Sequence, residues 1–501
     1  MATWVPPIAH APCLIGPTTF RLLNETDDLD RVGWDGPPLS RLWRYHQHYF
    51  DELRAVDADQ RASWHERLLL RWVEENPPGK GVGWESYPTA RRIVNWIKWA
   101  LAGHRLPPAC LASLAVQARW LRRRLEYHLL GNHLLADAKA LIFAGSFFEG
   151  PEADRWRTLG LRLLGEEVAE QILADGGHIE RSPMYQALVM EDLLDIQNVL
   201  QASRAGSRGW GSLRLEETVR RMMAWLTAMT HPDGDIAFFN DAAIGMAPSY
   251  RELAAYATRL GFAPADPPRQ LVQSLPVSGY VRLAHDQATV LLDVAPLGPD
   301  YLLGHAHADT LSFELSVGRQ RVLVNSGTSC YGESAERVRQ RGTAAHNTVV
   351  IDGENSSEVW KGFRVARRAY PIGLTIEERG TQVSVACAHT GYGWLPGRPR
   401  HRRHWRFQPG SLDVCDTVEG QFGVADARFH WHPSWTLTGT AREGVAVAQA
   451  GAGGRVKWIV EDGDPRIEPS SYHPRFGVTE SNHCLVVRLI QGRSRVRFLW
   501  S

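Results

Sequence analysis

Two spacings of apolar residues divide this chain. Up to about residue 270 they recur on one helical face. Ile93, Trp96, Ile97, Ala100 and Leu101 form one such set, Val189, Leu193, Ile196 and Leu200 a second, and Val219, Met222, Leu226 and Met229 a third. Loops rich in Gly, Pro and Asp separate the sets: ENPPGKGVG, HRLPPA, ADGGH and THPDGD. Helices of similar length joined by such loops predict stacked αα-hairpins. Further on, the spacing shortens to alternation. ATVLLDV, LSFELSV, QRVLVNSG, NTVVIDG, VSVACAH, LVVRLI and RVRFLW are β-branched runs bounded by turn residues. They predict antiparallel strands, with a β-sandwich as the natural architecture. The expected partition is a helical domain over 1–270 and a β domain over 271–501, with 265–279 as linker.

Composition narrows the class. The 501 residues carry 56 Lys+Arg against 55 Asp+Glu, a net charge of +1, so there is no broad basic field and no nucleic-acid partner is expected. A local basic cleft for an acidic substrate remains compatible with this balance. The 19 Trp suit either sugar-binding clefts or large cores. Cys13, Cys110, Cys330, Cys387, Cys415 and Cys484 are scattered without metal spacing and are expected to be free thiols. No apolar run is long enough to predict a membrane span. The first residues, MATWVPPIAHAPCLIGP, lack the features of a signal peptide. The expected compartment is therefore the cytoplasm as written, and the periplasm or exterior if a leader has been removed.

Candidate chemistry clusters in five places. In Gly304-His305-Ala306-His307-Ala308-Asp309, strand alternation would project His305, His307 and Asp309 together, with Leu311, Phe313 and Leu315 continuing that face into the core. His346, in TAAHNTVVIDG, could join His307 in a zinc site, with Asn325 of VLVNSGT as oxygen ligand. Asn132 and His133, in GNHLL, would open a helix, where Asn also serves as a cap. In DGGHIERSPMYQ, Pro183 marks a helix start that places Arg181 and Tyr185 at the positive end of its dipole, which favours bound anions and a tyrosinate. Trp84, Tyr87 and Arg92, in GWESYPTARRIVNW, offer aromatic stacking and a carboxylate partner, or simply helix packing.

Taken in order, GNHLL, DGGHIERSPMYQ, HAHADTLSFEL, VLVNSGT and TAAHNTVVIDG resemble the heparinase II/III-like polysaccharide lyases, as do WRYHQHYFDEL and HTGYGWLPGRPRHRR. The resemblance runs from about residue 40 to the C-terminus. It implies an incomplete (α/α) toroid followed by an antiparallel β-sandwich, and β-elimination of uronic-acid-containing polysaccharides. In that chemistry Asn132 and His133 would neutralise the uronate carboxylate. Tyr185 would act as acid and base, with His305 as the other possible base. Tyr331 of GTSCYG would contact substrate, as would Trp84, Tyr87, Arg92 and Arg181. His307, His346 and Asn325 would hold a structural zinc; zinc-bearing relatives place an aspartate where Asn325 stands. No organic cofactor is implied. Two other readings compete. A glycoside hydrolase would need a carboxylate pair, for which Glu180, Asp233, Asp235 and Asp241 are available. A non-catalytic glycan-binding or assembly protein would need none.

Overall fold

The computed structural model describes residues 4–203, 215–263, 270–449 and 454–500. Long helices fill the first part: Ala62–Glu75, Ser86–Leu101, Pro108–Arg122, Gly131–Phe147, Pro151–Gln171, Pro183–Ala202 and Leu215–Ala228, then Tyr250–Arg259. Apart from the short pair Thr19–Leu22 and Glu25–Asp28, the described strands all follow residue 270. The protein is thus a helical N-terminal region followed by a β-rich C-terminal region. The three helical faces read from the sequence are the buried ones: Ile93, Trp96, Val189, Leu193, Ile196, Val219, Met222 and Leu226 are all within 1% of complete burial.

The chain forms two compact units that interleave along the sequence. The first comprises Met1–Ile172, Ala187–Met223 and Arg251–Pro264; the second comprises Leu173–Gln186, Ala224–Tyr250 and Ala265–Ser501. The expected break at 270 marks where the period changes, but the units cross it. Loops from the helical part belong to the second unit because they satisfy strand groups there. The Trp225 indole donates to Ser278 Oγ at 2.8 Å, and Arg282 donates to the carbonyls of Ala228 and Thr230, both at 3.0 Å. Gly177 allows the first of these approaches, since a Cβ there would lie 2.6 Å from the Trp225 indole nitrogen. The expected linker, 265–279, is also revised. Residues 264–269 lie outside the described residues, while Val272–Leu275 is a strand paired with Tyr280–His285.

In the first unit, tryptophan builds core. Trp43, Trp72 and Trp96 are fully buried, and the Arg92 guanidinium lies 3.8 Å from the Trp72 ring centre. Opposite charges are buried with them. Lys139 pairs with Asp192 at 2.6 Å and with Asp195, Lys98 pairs with Asp195, and Arg54 pairs with Glu191 at 3.0 Å.

In the second unit, Val272–Leu275, Tyr280–His285, Ala288–Asp293, Phe313–Val317 and Gln320–Leu323 form a five-stranded antiparallel meander. An eight-stranded sheet and a four-stranded sheet accompany it, and one apolar core draws on all three through Leu292 and Phe313, Val385 and Trp405, and Phe429 and Leu485. Strand Arg400–Gln408 shows the alternation: Arg400 and Arg402 face outward, while His401, Arg403, Trp405 and Phe407 face inward. The inward Arg403 pairs with Asp416 at 2.7 Å and 3.0 Å, and His401 adds a contact of 2.7 Å. Burial opposes ionisation of Asp416, but the Arg403 charge and the His401 hydrogen bond outweigh it and hold the carboxyl at about 2. Arg403 also donates to the carbonyls of Leu311, at 2.9 Å, and Asn347.

Removing one partner of such a buried pair strands the other. Arg403→Met is therefore expected to cost about 3–5 kcal/mol, read from the urea midpoint at pH 7. Because the Asp416 value is depressed on folding, its stabilisation is present above the ordinary 3.8 and is lost as the pH falls toward 2. The deficit of the variant is expected to shrink over that window; a pH-independent deficit would contradict this assignment.

Candidate active site

The site is built in the second unit around one buried carboxylate. Arg181 adopts a left-handed φ of 55°, which turns the chain into the helix Pro183–Ala202. The Ser182 hydroxyl caps that helix, accepting the Tyr185 N–H at 3.2 Å and donating to the Asp241 carbonyl. This fixes Tyr185 in the first turn. Its hydroxyl lies 3.0 Å from that of Tyr331, and its ring lies 4.1 Å from the His305 ring, centre to centre.

His305 and His307 do not lie on a strand, as the alternation predicts; the strand begins at Phe313, and 304–312 is a chain of turns with Leu311 at φ 63°. The residues converge because the neighbouring Asn240–Asp241 pair pins them. Asn240 Oδ1 accepts the His307 N–H at 3.0 Å, the Asn240 N–H donates to Asp309 at 3.0 Å, and the Asp241 N–H donates to the His305 carbonyl at 3.0 Å. The Asp241 carboxylate then meets His305 Nδ1 at 2.8 Å, His307 Nε2 at 2.9 Å, Thr328 Oγ1 at 3.3 Å and both terminal nitrogens of Arg337, one of them at 2.7 Å.

These contacts settle proton positions. Burial alone would raise the Asp241 carboxyl, but the Arg337 charge and the two histidine hydrogen bonds hold it well below the usual carboxylate range. An ionised carboxylate only accepts, so His305 Nδ1 and His307 Nε2 both carry protons. Burial pushes His307 down to about 4, leaving its ring neutral near pH 7 and its Nδ1 a lone pair. His305 presents Nε2 from a side chain that is 14% exposed, 3.7 Å from Glu180. Tyr185 departs from expectation. Burial first, then Tyr331, Asp241 and Glu180, push its phenol well above the ordinary 10. The resting group is a neutral phenol and a proton donor; the helix dipole does not make it a tyrosinate.

His307 Nδ1 faces His346 Nε2 at 3.3 Å, and Asp309 completes a buried set of possible metal ligands whose atoms all lie within 4.8 Å of one another. Asn325, the oxygen ligand expected from the sequence, is engaged in hydrogen bonds of its own. Its Oδ1 accepts the Asn347 N–H at 3.1 Å and its Nδ2 donates to Ser312, because it serves as a strand-end brace. A further histidine–hydroxyl–carboxylate arrangement, His231 with Ser316 and Glu314, each at 2.8 Å, is wholly buried and braces loop to sheet.

Other expected site residues fall in the core. Trp84 is buried with its indole on the Asn76 carbonyl, and Arg92 is enclosed by Trp72 and Gln117, so neither reaches a ligand. Arg181 is buried with its Nε on the Ser278 carbonyl. In the first unit the helix Gly131–Phe147 is capped by Leu130 at φ 58°, so Asn132 is not the cap but lies in the first turn, buried. His133 Nδ1 meets Glu126 at 2.9 Å, and its ring lies 4.6 Å from that of Tyr87, which is partly exposed. Asp241 as organiser and Arg337 were not foreseen as site residues; their only sequence signal is an Asn-Asp pair closing the apolar run AFF, and an arginine in a short charged helix.

Family comparison covers most of the chain. The heparinase II/III N-terminus matches residues 61–263, and the heparinase II/III-like C-terminal domain matches residues 267–499. The chain belongs to the heparinase II/III family. Among relatives in and around this family, the heparin-sulfate lyase of Bacteroides stercoris is 26% identical over 246 residues, which is 46% of this chain and 37% of that protein. The chain therefore aligns with little more than a third of that relative's length. FtsZ-localized protein C of Caulobacter vibrioides is 25% identical over 484 residues, 88% of this chain and 79% of that protein. The crystal structure of heparinase III shares the fold, with a TM-score of 0.74 at 18% identity, covering 93% of this chain and 79% of that one.

Within this site, Arg337→Met leaves the Asp241 carboxylate buried against two histidines and the Thr328 hydroxyl with no countercharge, and a stability loss of about 3–5 kcal/mol is expected in thermal unfolding. Pairing it with Asp241→Leu is expected to recover part of that loss; strict additivity would contradict the coupling.

Proposed function

We propose that this protein cleaves a uronic-acid-containing polysaccharide by β-elimination, its helical region forming an incomplete (α/α) toroid and its β region a sandwich. The observation that carries the reading is the meeting of a buried neutral phenol, Tyr185, with an Asp241-oriented imidazole, His305, at 4.1 Å between rings. One donates a proton and the other accepts one, which is what the reaction requires. His305 Nε2 takes the proton from C5 of the uronate. The C5–H electron pair becomes the C4=C5 bond, the C4–O4 bond breaks, and the Tyr185 proton goes to the departing O4. Return of the imidazolium proton to the phenolate closes the cycle. Tyr331, hydrogen-bonded to Tyr185, orients the phenol and lines the substrate position. Neutralisation of the uronate carboxylate by Asn132 and His133 rests on the family resemblance. The name of the Bacteroides relative points to heparan-type glycans as the first to assay.

The donor set also fits zinc. His307 offers a lone pair, His346 Nε2 faces it, and burial pushes the Asp309 carboxyl up to about 7, a charge that a divalent cation would stabilise. Zinc held by His307, Asp309 and His346 would join the two loops that carry them and would not enter the elimination. About one zinc per chain is expected in protein purified without chelator, with none in His346→Ala. Chelation is expected to lower the melting temperature more than the rate; a rate that falls to zero while the melting temperature holds would defeat the structural role.

A second reading follows from the relative that aligns with 88% of this chain, whose name describes localisation rather than a reaction. On that reading the protein binds or assembles without turnover. Absorbance from the new C4=C5 bond on a panel of polyuronates separates the two. Tyr185→Phe keeps the ring and loses the proton, so the rate is expected to fall about 10²–10⁴-fold with binding retained. A variant with more than about a tenth of the parent rate would exclude Tyr185 as the acid.

A further inference from the structure

A short hairpin, Val359–Trp360 paired with Arg364–Val365, brings its tip against this cluster. Phe363 lies at the tip and is 42% exposed, and Trp360 is 46% exposed. The Phe363 ring centre is nevertheless 5.9 Å from that of His305 and 5.2 Å from that of Tyr331, and the Arg337 guanidinium lies 5.4 Å from it. Polar contacts hold the tip. Arg337 Nε donates to the Gly362 carbonyl at 3.0 Å, and Arg341 donates to the Lys361 carbonyl at 3.3 Å. Gly362 packs so close to Gly332 that a Cβ would lie 2.6 Å from its carbonyl oxygen, and Lys361 is held at a left-handed φ of 49°. The fixed tip thus leaves a large apolar ring packed on one side and open to water on the other, beside the reacting groups. Across 358–368 the chain carries Lys361, Arg364, Arg367 and Arg368 against Glu358; Arg367 pairs with Glu358 at 2.9 Å, Arg368 pairs with Asp300, and Lys361 lies 3.7 Å from Glu333.

We propose that Phe363, flanked by Trp360, is a stacking platform for a pyranose ring of an acidic glycan, the ring next to the one that meets His305 and Tyr185. The C–H face of a sugar is apolar and slightly positive and suits the electron-rich face of an aromatic ring. Arg364, exposed and next to Phe363 in the chain, complements carboxylate or sulfate on the same glycan. The inference rests on the lyase reading for the fate of the neighbouring sugar, but not for the stacking itself.

The test is isothermal titration of size-defined heparan sulfate, chondroitin, hyaluronan and alginate oligosaccharides into the Tyr185→Phe chain, with and without Phe363→Ala or Phe363→Tyr. For the tightest ligand, Phe363→Ala is expected to raise Kd about tenfold and Phe363→Tyr to restore it, with the melting temperature unchanged. On the active chain, KM is expected to rise while kcat stays within about twofold. A Kd within about twofold of the parent, or a loss that tyrosine does not restore, overturns the proposal. So does the absence of binding to every member of the panel. So does self-association that Phe363→Ala abolishes while glycan binding is unchanged, which would assign the platform to a second copy of the chain. Binding that depends on Phe363 without unsaturated product supports the platform and removes the lyase reading. Product formed at the parent KM by Phe363→Ala keeps the lyase reading and removes the platform.

Discussion

A carboxylate taken out of water must be compensated where it sits, and the site follows from how Asp241 is compensated. Arg337 neutralises it, His305 and His307 donate to it, and Thr328 donates as well. Each compensating group is thereby oriented. His305 is left with Nε2 as its acceptor, and His307 is left with Nδ1 facing His346. One charge thus sets the tautomers of two rings, one belonging to the proposed proton transfer and the other to the proposed zinc site.

Arg337 extends the arrangement. The guanidinium that neutralises Asp241 also holds the Gly362 carbonyl, so the exposed Phe363 and the proposed base share one support. A second buried pair, Arg403 with Asp416, holds the carbonyls of Leu311 and Asn347, which neighbour Asp309 and His346 in the chain. Buried charge in this unit acts mainly on loop geometry. The turns of 304–312 are tied by backbone hydrogen bonds at Ala308, Leu311 and Ser312, and these side-chain contacts add to that restraint.

What could be read from the sequence was what depends on near neighbours. The helical faces through Val189, Leu193 and Ile196, and the strand alternation through Val496 and Phe498 of RVRFLW, follow from local periodicity, and the structure buries them accordingly. The HxHxD segment shows the limit of that reasoning. Its parity ran correctly into Phe313 and Leu315, yet its own backbone turns at Leu311, and its side chains meet through Asn240 and Asp241. Asp241 carries no local signal of its role beyond being a carboxylate, because its partners lie 64, 66 and 96 residues away. Trp84 and Arg92 misled for a different reason. An aromatic–arginine pair looks the same in a cleft and in a core, and here Trp72 and Gln117 close around it. The motif singles out Tyr185 as a candidate but does not reveal its protonation state, because burial of the phenol outweighs the helix dipole.

The central claim is that the charge on Asp241 makes His305 a base toward a uronate. Asp241→Asn keeps the size and an acceptor oxygen and removes that charge. The measurement is the initial rate of C4=C5 absorbance on the best polyuronate substrate, for the parent and for Asp241→Asn, with folding of both verified by near-ultraviolet circular dichroism. The account requires a clear rate for the parent and a fall of at least about 10²-fold in kcat for the folded variant. A folded Asp241→Asn protein that retains parent activity, or a parent that forms no unsaturated product on any polyuronate, would contradict it.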